Sequence, residues 1–263
     1  MNLLFKFWIV AFVAVTMLGC SSENNISPHS LKCEYIENPM GIDNPQPRFS
    51  WIVGNNNRGT LQEAYQVLVS TSPDALKKNT GDVWDSEKVT SGNSFHVVYG
   101  GPELKSGTKY FWKVRMWDQN ANVSTYSKTA KFETGLFNPE DWKAKWIGDG
   151  RRPPEKDEDF YDNIPVPIFR KTFEIKNQLT DARLYISGLG YYEAFLNGEK
   201  IGDHVLDPGW TNYGKTAYYE VYDLTDQVGK GENAMGVMLG NGWYNPLPLR
   251  LFGRWNLREI LTI

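Results

Sequence analysis

With 263 residues, 41% hydrophobic and 14% aromatic, and with 24 Gly, 14 Pro and a formal charge of −3, the chain reads as globular, which excludes disordered and fibrous classes. Its 28 basic and 31 acidic residues nearly cancel and no Lys/Arg block occurs, so no nucleic-acid partner is expected. The length suits two ordinary domains, and 10 Trp with 14 Tyr point to a β-rich architecture with aromatic surface to spare.

Residues 1–19 read as an export signal: one cation, Lys6, then an uncharged run from Phe7 to Leu18 ending in small residues. That run is too short to span a bilayer comfortably, which needs about 20 apolar residues. Thr16-Met17-Leu18-Gly19-Cys20 resembles the bacterial lipobox, apart from Met17 where Leu is usual, so Cys20 is the expected lipidation site. The alternative is an ordinary secretory signal in which Cys20 is incidental. Either way the chain is expected to be exported to the cell envelope. A lipid anchor would hold it to a membrane, at the periplasmic or outer-membrane surface, with residues 20–30 as the tether. Only Cys33 is then left, so no intramolecular disulfide is expected. One thiol with the scattered His29, His96 and His204 offers no zinc site. Cys33 reads as a buried residue of a first strand.

Residues 31–135 show short strands parted by turn signals and no sustained helical period, which predicts an immunoglobulin-like sandwich. Ala64 to Ser70 is one strand. In another, Tyr110, Trp112, Val114 and Met116 share a core face while Lys113 and Arg115 lie on the opposite one. Trp51, Trp84, Trp112 and Trp117 are expected as packing residues. Gly135 to Asp141 reads as a linker, and residues 142–263 as a second β-sandwich. Its strands are Ile168–Ile175, Ala182–Ser187, Tyr191–Leu196, Tyr218–Val221 and Met235–Leu239, with a type I′ hairpin at Asn197-Gly198. The run Arg258 to Ile263 alternates like a strand with no turn or polar tail after it, so this second sandwich either ends on a strand or, at least as naturally, reads as truncated in mid-domain.

Several segments together resemble one family. Pro47 to Trp51, Ala64 to Val69, Trp84-Asp85-Ser86, Tyr110 to Arg115 and Phe132 to Gly135 resemble the leading fibronectin type III-like domain of bacterial α-L-rhamnosidases of glycoside hydrolase family 78. Trp142 to Gly148, Phe169 to Phe173, Gly188 to Tyr192, Leu196-Asn197-Gly198, Asp207 to Thr211 and Leu239 to Tyr244 resemble the jelly-roll domain that follows it; Asn245 to Leu249 departs from the family pattern. The resemblance implies an all-β chain of these two domains. It also implies inverting hydrolysis of terminal α-L-rhamnose by the whole family protein. The catalytic (α/α)6 barrel has no counterpart here, so the chain alone is expected to be inactive, with a separately encoded barrel as a conceivable partner.

Carboxylates are plentiful, but Asp82, Asp85 and Glu87 sit among turns, and Glu155 to Asp162 reads as a solvated charge run, so neither supplies the flanking pair that glycoside hydrolysis needs. Sugar binding asks only for an aromatic face and fixed polar groups. Asp207, Trp210, Asn212 and Tyr213 on one turn-rich segment and Asn241, Trp243 and Tyr244 on another fit that recipe, for a rhamnose-containing glycan. The structural alternative is that Trp210 and Trp243 pack under their loops. Related jelly-roll modules bind rhamnose through calcium, which nominates Asp162 and Asn163 as metal ligands here, with Asn212 as a distant third and no cofactor otherwise required. Two rival readings stand: a self-contained surface carbohydrate-binding protein, and a structural adaptor, the latter favoured if both Trp side chains are buried.

Overall fold

The computed structural model describes residues 27–54, 59–151, 155–156 and 165–244. The signal segment, Cys20, Asp162, Asn163 and the run 245–263 lie outside the described residues. The described residues divide into two compact units, with those within 27–39, 46–103 and 109–132 falling in the first, and those within 40–45, 104–108 and 133–244 in the second.

In the first unit, β1 (His29–Cys33), β2 (Arg48–Ile52), β3 (Gln62–Ser70), helix α1 (Pro73–Lys77), β4 (Trp84–Asp85), β5 (Val89–Thr90), β6 (Val97–Val98), β7 (Lys109–Asp118) and β8 (Ala130–Glu133) follow in order. One sheet runs β1-β2-β6; the other runs β4-β3-β7-β8, with β5 also paired to β3. Alternation on β7 buries Tyr110, Trp112, Val114 and Met116, as the period of two demands. Across from them, Phe49 of β2 stacks against Trp112 with ring centroids 4.4 Å apart and meets Phe132 at 5.7 Å. These rings are part of the contact between the two sheets, to which Trp51 of β2 adds an edge-to-face contact with Tyr65 of β3 at 5.3 Å. Trp51 is also buried, its indole N–H donating to Gln62 Oε1 at 2.9 Å, whereas Trp84 and Trp117 are half-buried. Cys33 is buried and free, as expected.

Lys113 departs from the predicted polar face: it is only 6% exposed. Helix α1, capped by Ser72 Oγ accepting from the Asp74 N–H, lies over that side of β7. The Lys113 ammonium donates to the Leu76 carbonyl and to Asn79 Oδ1 at 2.6 Å, and sits 4.2 Å over the Tyr126 ring. Its hydrogen bonds offset the desolvation that pushes its pKa down.

In the second unit, β9 (Ile168–Ile175), β10 (Arg183–Ile186), β11 (Tyr191–Leu196), β12 (Glu199–Lys200), β13 (Glu220–Asp223) and β14 (Gly231–Gly240) make a sheet ordered β12-β11-β14-β9 and a pair β10-β13, all antiparallel. Tyr192, Ala194 and Leu196 of β11, Val237 and Leu239 of β14, and Ile186, Ile201 and Leu224 close the core. Asn197 and Gly198 turn between β11 and β12 with φ of 53° and 93°, the positive pair a type I′ hairpin requires. Segment 142–148 forms no strand. The turns 40–45 and 104–108 group with this unit because Ile42 N–H donates to the Glu133 carbonyl at 3.0 Å and Gly107 N–H to the Gly135 carbonyl at 2.9 Å. Within the same unit, the Arg183 guanidinium is forked onto Glu133 at 2.7 and 2.9 Å and also meets Asp181 and Asp223.

Two outcomes follow from this packing. Phe49→Ala removes a ring joining the two sheets and is expected to lower the unfolding free energy by about 3–5 kcal/mol in urea denaturation of the full chain. Arg183→Met strands the buried Glu133 carboxylate and is expected to cost about 3–5 kcal/mol, a loss largely recovered in the double variant Arg183→Met/Glu133→Gln.

Candidate functional site

The segment between β12 and β13 is a long loop, and Asp207 ties its middle to the sheet. The Asp207 carbonyl accepts the Tyr192 N–H of β11 at 2.9 Å, and the Asp207-Pro208 peptide is cis. The Asp207 side chain turns inward: Oδ2 accepts the Tyr222 hydroxyl at 2.6 Å and is 2.8 Å from His204 Nδ1. Asp207, predicted as a sugar ligand, therefore has this carboxylate oxygen engaged by protein groups.

Trp210, three residues on, is 65% exposed, and Trp243, just after β14, is 59% exposed. Their ring centroids are 6.0 Å apart with planes inclined at 44°. The loops bearing the two side chains thus meet, and neither Trp packs beneath its loop. The second loop is held by close backbone approach. Gly190 has φ of 112°, and a Cβ there would lie 2.3 Å from the Gly240 carbonyl oxygen, so only glycine lets segment 188–190 pass the start of the Trp243 turn.

Beside this pair, Tyr213 and Tyr244 meet edge to face with centroids 5.2 Å apart, and the Tyr213 hydroxyl is buried near the Gly190 backbone. Asn212 is exposed and shapes its own turn: Oδ1 accepts from the Gly214 N–H at 3.2 Å, and its carbonyl accepts from Lys215 and Thr216. Asn241 is exposed at the start of the Trp243 turn. The structure therefore brings Trp210 to Trp243 and Tyr213 to Tyr244.

One group of side chains was not anticipated. His204 is not isolated: it, Asp207 and Glu220 each offer a ligand atom, and these lie within 4.8 Å of one another. Burial, then the neighbouring Asp207, pushes the Glu220 pKa up, with His204 opposing. Burial and the same carboxylates drive the phenols of Tyr192 and Tyr222 far above their ordinary range. Residues 204, 207 and 220 follow no metal-motif spacing, and only the short His204-x-x-Asp207 interval hinted at the pairing. The other two histidines have local roles, His96 stacked on Phe95 at 3.9 Å and His29 beside Ser30. Of the carboxylates expected in turns, Asp82 accepts from Thr71, whereas Asp85 ends strand β4 and accepts from the Glu87 N–H and from Gln66.

A concavity of about 440 Å³ in the second unit is lined by Trp142, Trp146, Phe169, Ile186, Met235 and Val237. None of the predicted site residues lines it.

Comparison with known proteins agrees with this architecture. Residues 28–138 match the family described as the Rha78A-like N-terminal immunoglobulin domain, and residues 177–250 match the α-L-rhamnosidase N-terminal domain. An α-L-rhamnosidase of Formosa agariphila is 40% identical over 251 residues, covering 88% of this chain and 26% of that protein. One from Alteromonas sp. is 37% identical over 246 residues, with 91% and 26% covered. Among solved structures, the α-L-rhamnosidase from Dictyoglumus thermophilum superposes with a TM-score of 0.78 at 41% identity, covering 91% of this chain and 27% of that one. The enzyme from Aspergillus terreus gives 0.75 at 30% identity, with 90% and 26% covered. The chain thus spans about a quarter of the length of each of these relatives. With two of the family's domain models matched in order along it, the chain belongs to the α-L-rhamnosidase family and represents its non-catalytic N-terminal pair of β domains.

Proposed function

We propose that this chain serves α-L-rhamnosidase action, the inverting hydrolysis of terminal α-L-rhamnose, by contacting the glycan through its second unit. The observation carrying the reading is the solvent-facing pair Trp210 and Trp243. A folded chain ordinarily covers such rings, and two of them meeting on adjacent loops offer the apolar face that packs against sugar C–H groups. Exposed Asn212 and Asn241, on the same two loops, supply amide donors and acceptors for hydroxyls. Calcium enters the proposal only as a condition to vary, since Asp162 and Asn163 lie outside the described residues.

Export and lipidation at Cys20 belong to the same proposal, because an anchored module would hold the protein where extracellular glycans arrive. Metabolic labelling with a fatty acid in a bacterial host is expected to mark the full chain and not Cys20→Ser; equal labelling of both overturns the anchor.

Binding is tested by titrating the chain from Ser21 onward with L-rhamnose, with and without calcium, while following tryptophan fluorescence. A saturable change is expected, weakened about tenfold or more in Trp210→Ala and in Trp243→Ala. A folded chain with no saturable response, or one whose response both variants retain, overturns the reading.

A further inference from the structure

We infer that His204, Asp207 and Glu220 form a binding site for a divalent cation of the zinc class, where the loop that carries Trp210 meets the start of β13. The three ligand atoms are already gathered within 4.8 Å of one another. Zinc bonds to nitrogen and oxygen are about 2.0–2.2 Å, so two ligands of one ion stand only slightly farther apart than the 2.8 Å between His204 Nδ1 and Asp207 Oδ2. A small outward shift with loss of the proton between them would admit the ion. The donor set of one imidazole nitrogen and two carboxylate oxygens suits zinc and its neighbours. Calcium prefers six to eight oxygens and gains little from imidazole.

A second observation is independent of the acidic pair. Tyr192 is 6% exposed, and its buried hydroxyl has only a poorly aligned interaction with the Tyr222 hydroxyl. Asp207 and Glu220 lie near enough for their charges to act on its phenol. A water on a three-ligand ion would give this buried hydroxyl a better-placed partner than the Tyr222 oxygen. The Tyr222 hydroxyl, donating to Asp207 Oδ2 at 2.6 Å, would orient the ligating carboxylate, the outer support that metal carboxylates generally have. Bound there, the ion would join the 204–207 turn to β13.

The test uses untagged full chain stripped with a chelator, then titrated with zinc chloride against a chromogenic zinc indicator, with calcium chloride as comparison. One equivalent of zinc is expected to bind, calcium is not expected to compete, and His204→Ala and Glu220→Gln are each expected to weaken binding about 10- to 100-fold. His204 is exposed, so His204→Ala tests the site even where Glu220→Gln alters folding, and a metal-free circular dichroism melt confirms its fold. Absence of zinc binding overturns the proposal. So does binding that persists in His204→Ala, or that is lost instead in His96→Ala. The readout needs no sugar, so its failure is distinct from failure of glycan binding.

Discussion

Asp207 bears on everything proposed for the second unit, because it joins the long loop after β12 to the sheet at two levels. Its carbonyl takes the Tyr192 N–H, and one carboxylate oxygen takes the Tyr222 hydroxyl and faces His204. Backbone and side chain thus anchor the turn from which Trp210 rises, three residues later. An exposed aromatic offers a defined face to a ligand only when its backbone is held, since otherwise binding must also offset the ordering of the loop. The same logic applies on the neighbouring loop, where Gly190 admits the close backbone passage that sets the Trp243 turn.

The two units solve their core problem differently. The first joins its sheets with large rings, Phe49 against Trp112 and Phe132, and covers the far side of β7 with a five-residue helix. Its buried lysine is tolerated because two oxygens and an aromatic face replace water around the ammonium. The second unit has a smaller aliphatic core and adds a guanidinium held among three carboxylates. A charge of that kind is retained where its removal would leave buried carboxylate unpaired, and it specifies one arrangement of the strands around it more sharply than it adds net stability.

How the two exposed tryptophans divide between packing and binding could not be read from composition. Both sit in glycine-rich, turn-forming segments, and such segments either fold over their aromatic residue or present it. The outcome depends on what the opposite loop offers. Here each indole finds the other at 6.0 Å and most of both remains in solvent, so the packing alternative does not hold. Carbohydrate contact is the chemistry that such a surface suits.

Strand order along the chain, the alternation that buries one face of β7, the Asn197-Gly198 hairpin and the kinship with α-L-rhamnosidases were all legible in the amino acids, because they depend on local periodicity, on turn geometry and on motifs contiguous in sequence. Lys113 was misplaced, since a period of two assigns a side chain to a face but cannot say what will cover that face. The grouping of His204, Asp207 and Glu220 was equally hidden, as it requires the loop after β12 to return against β13. Such convergence is fixed by long-range pairing and burial, and only the tertiary structure decides it.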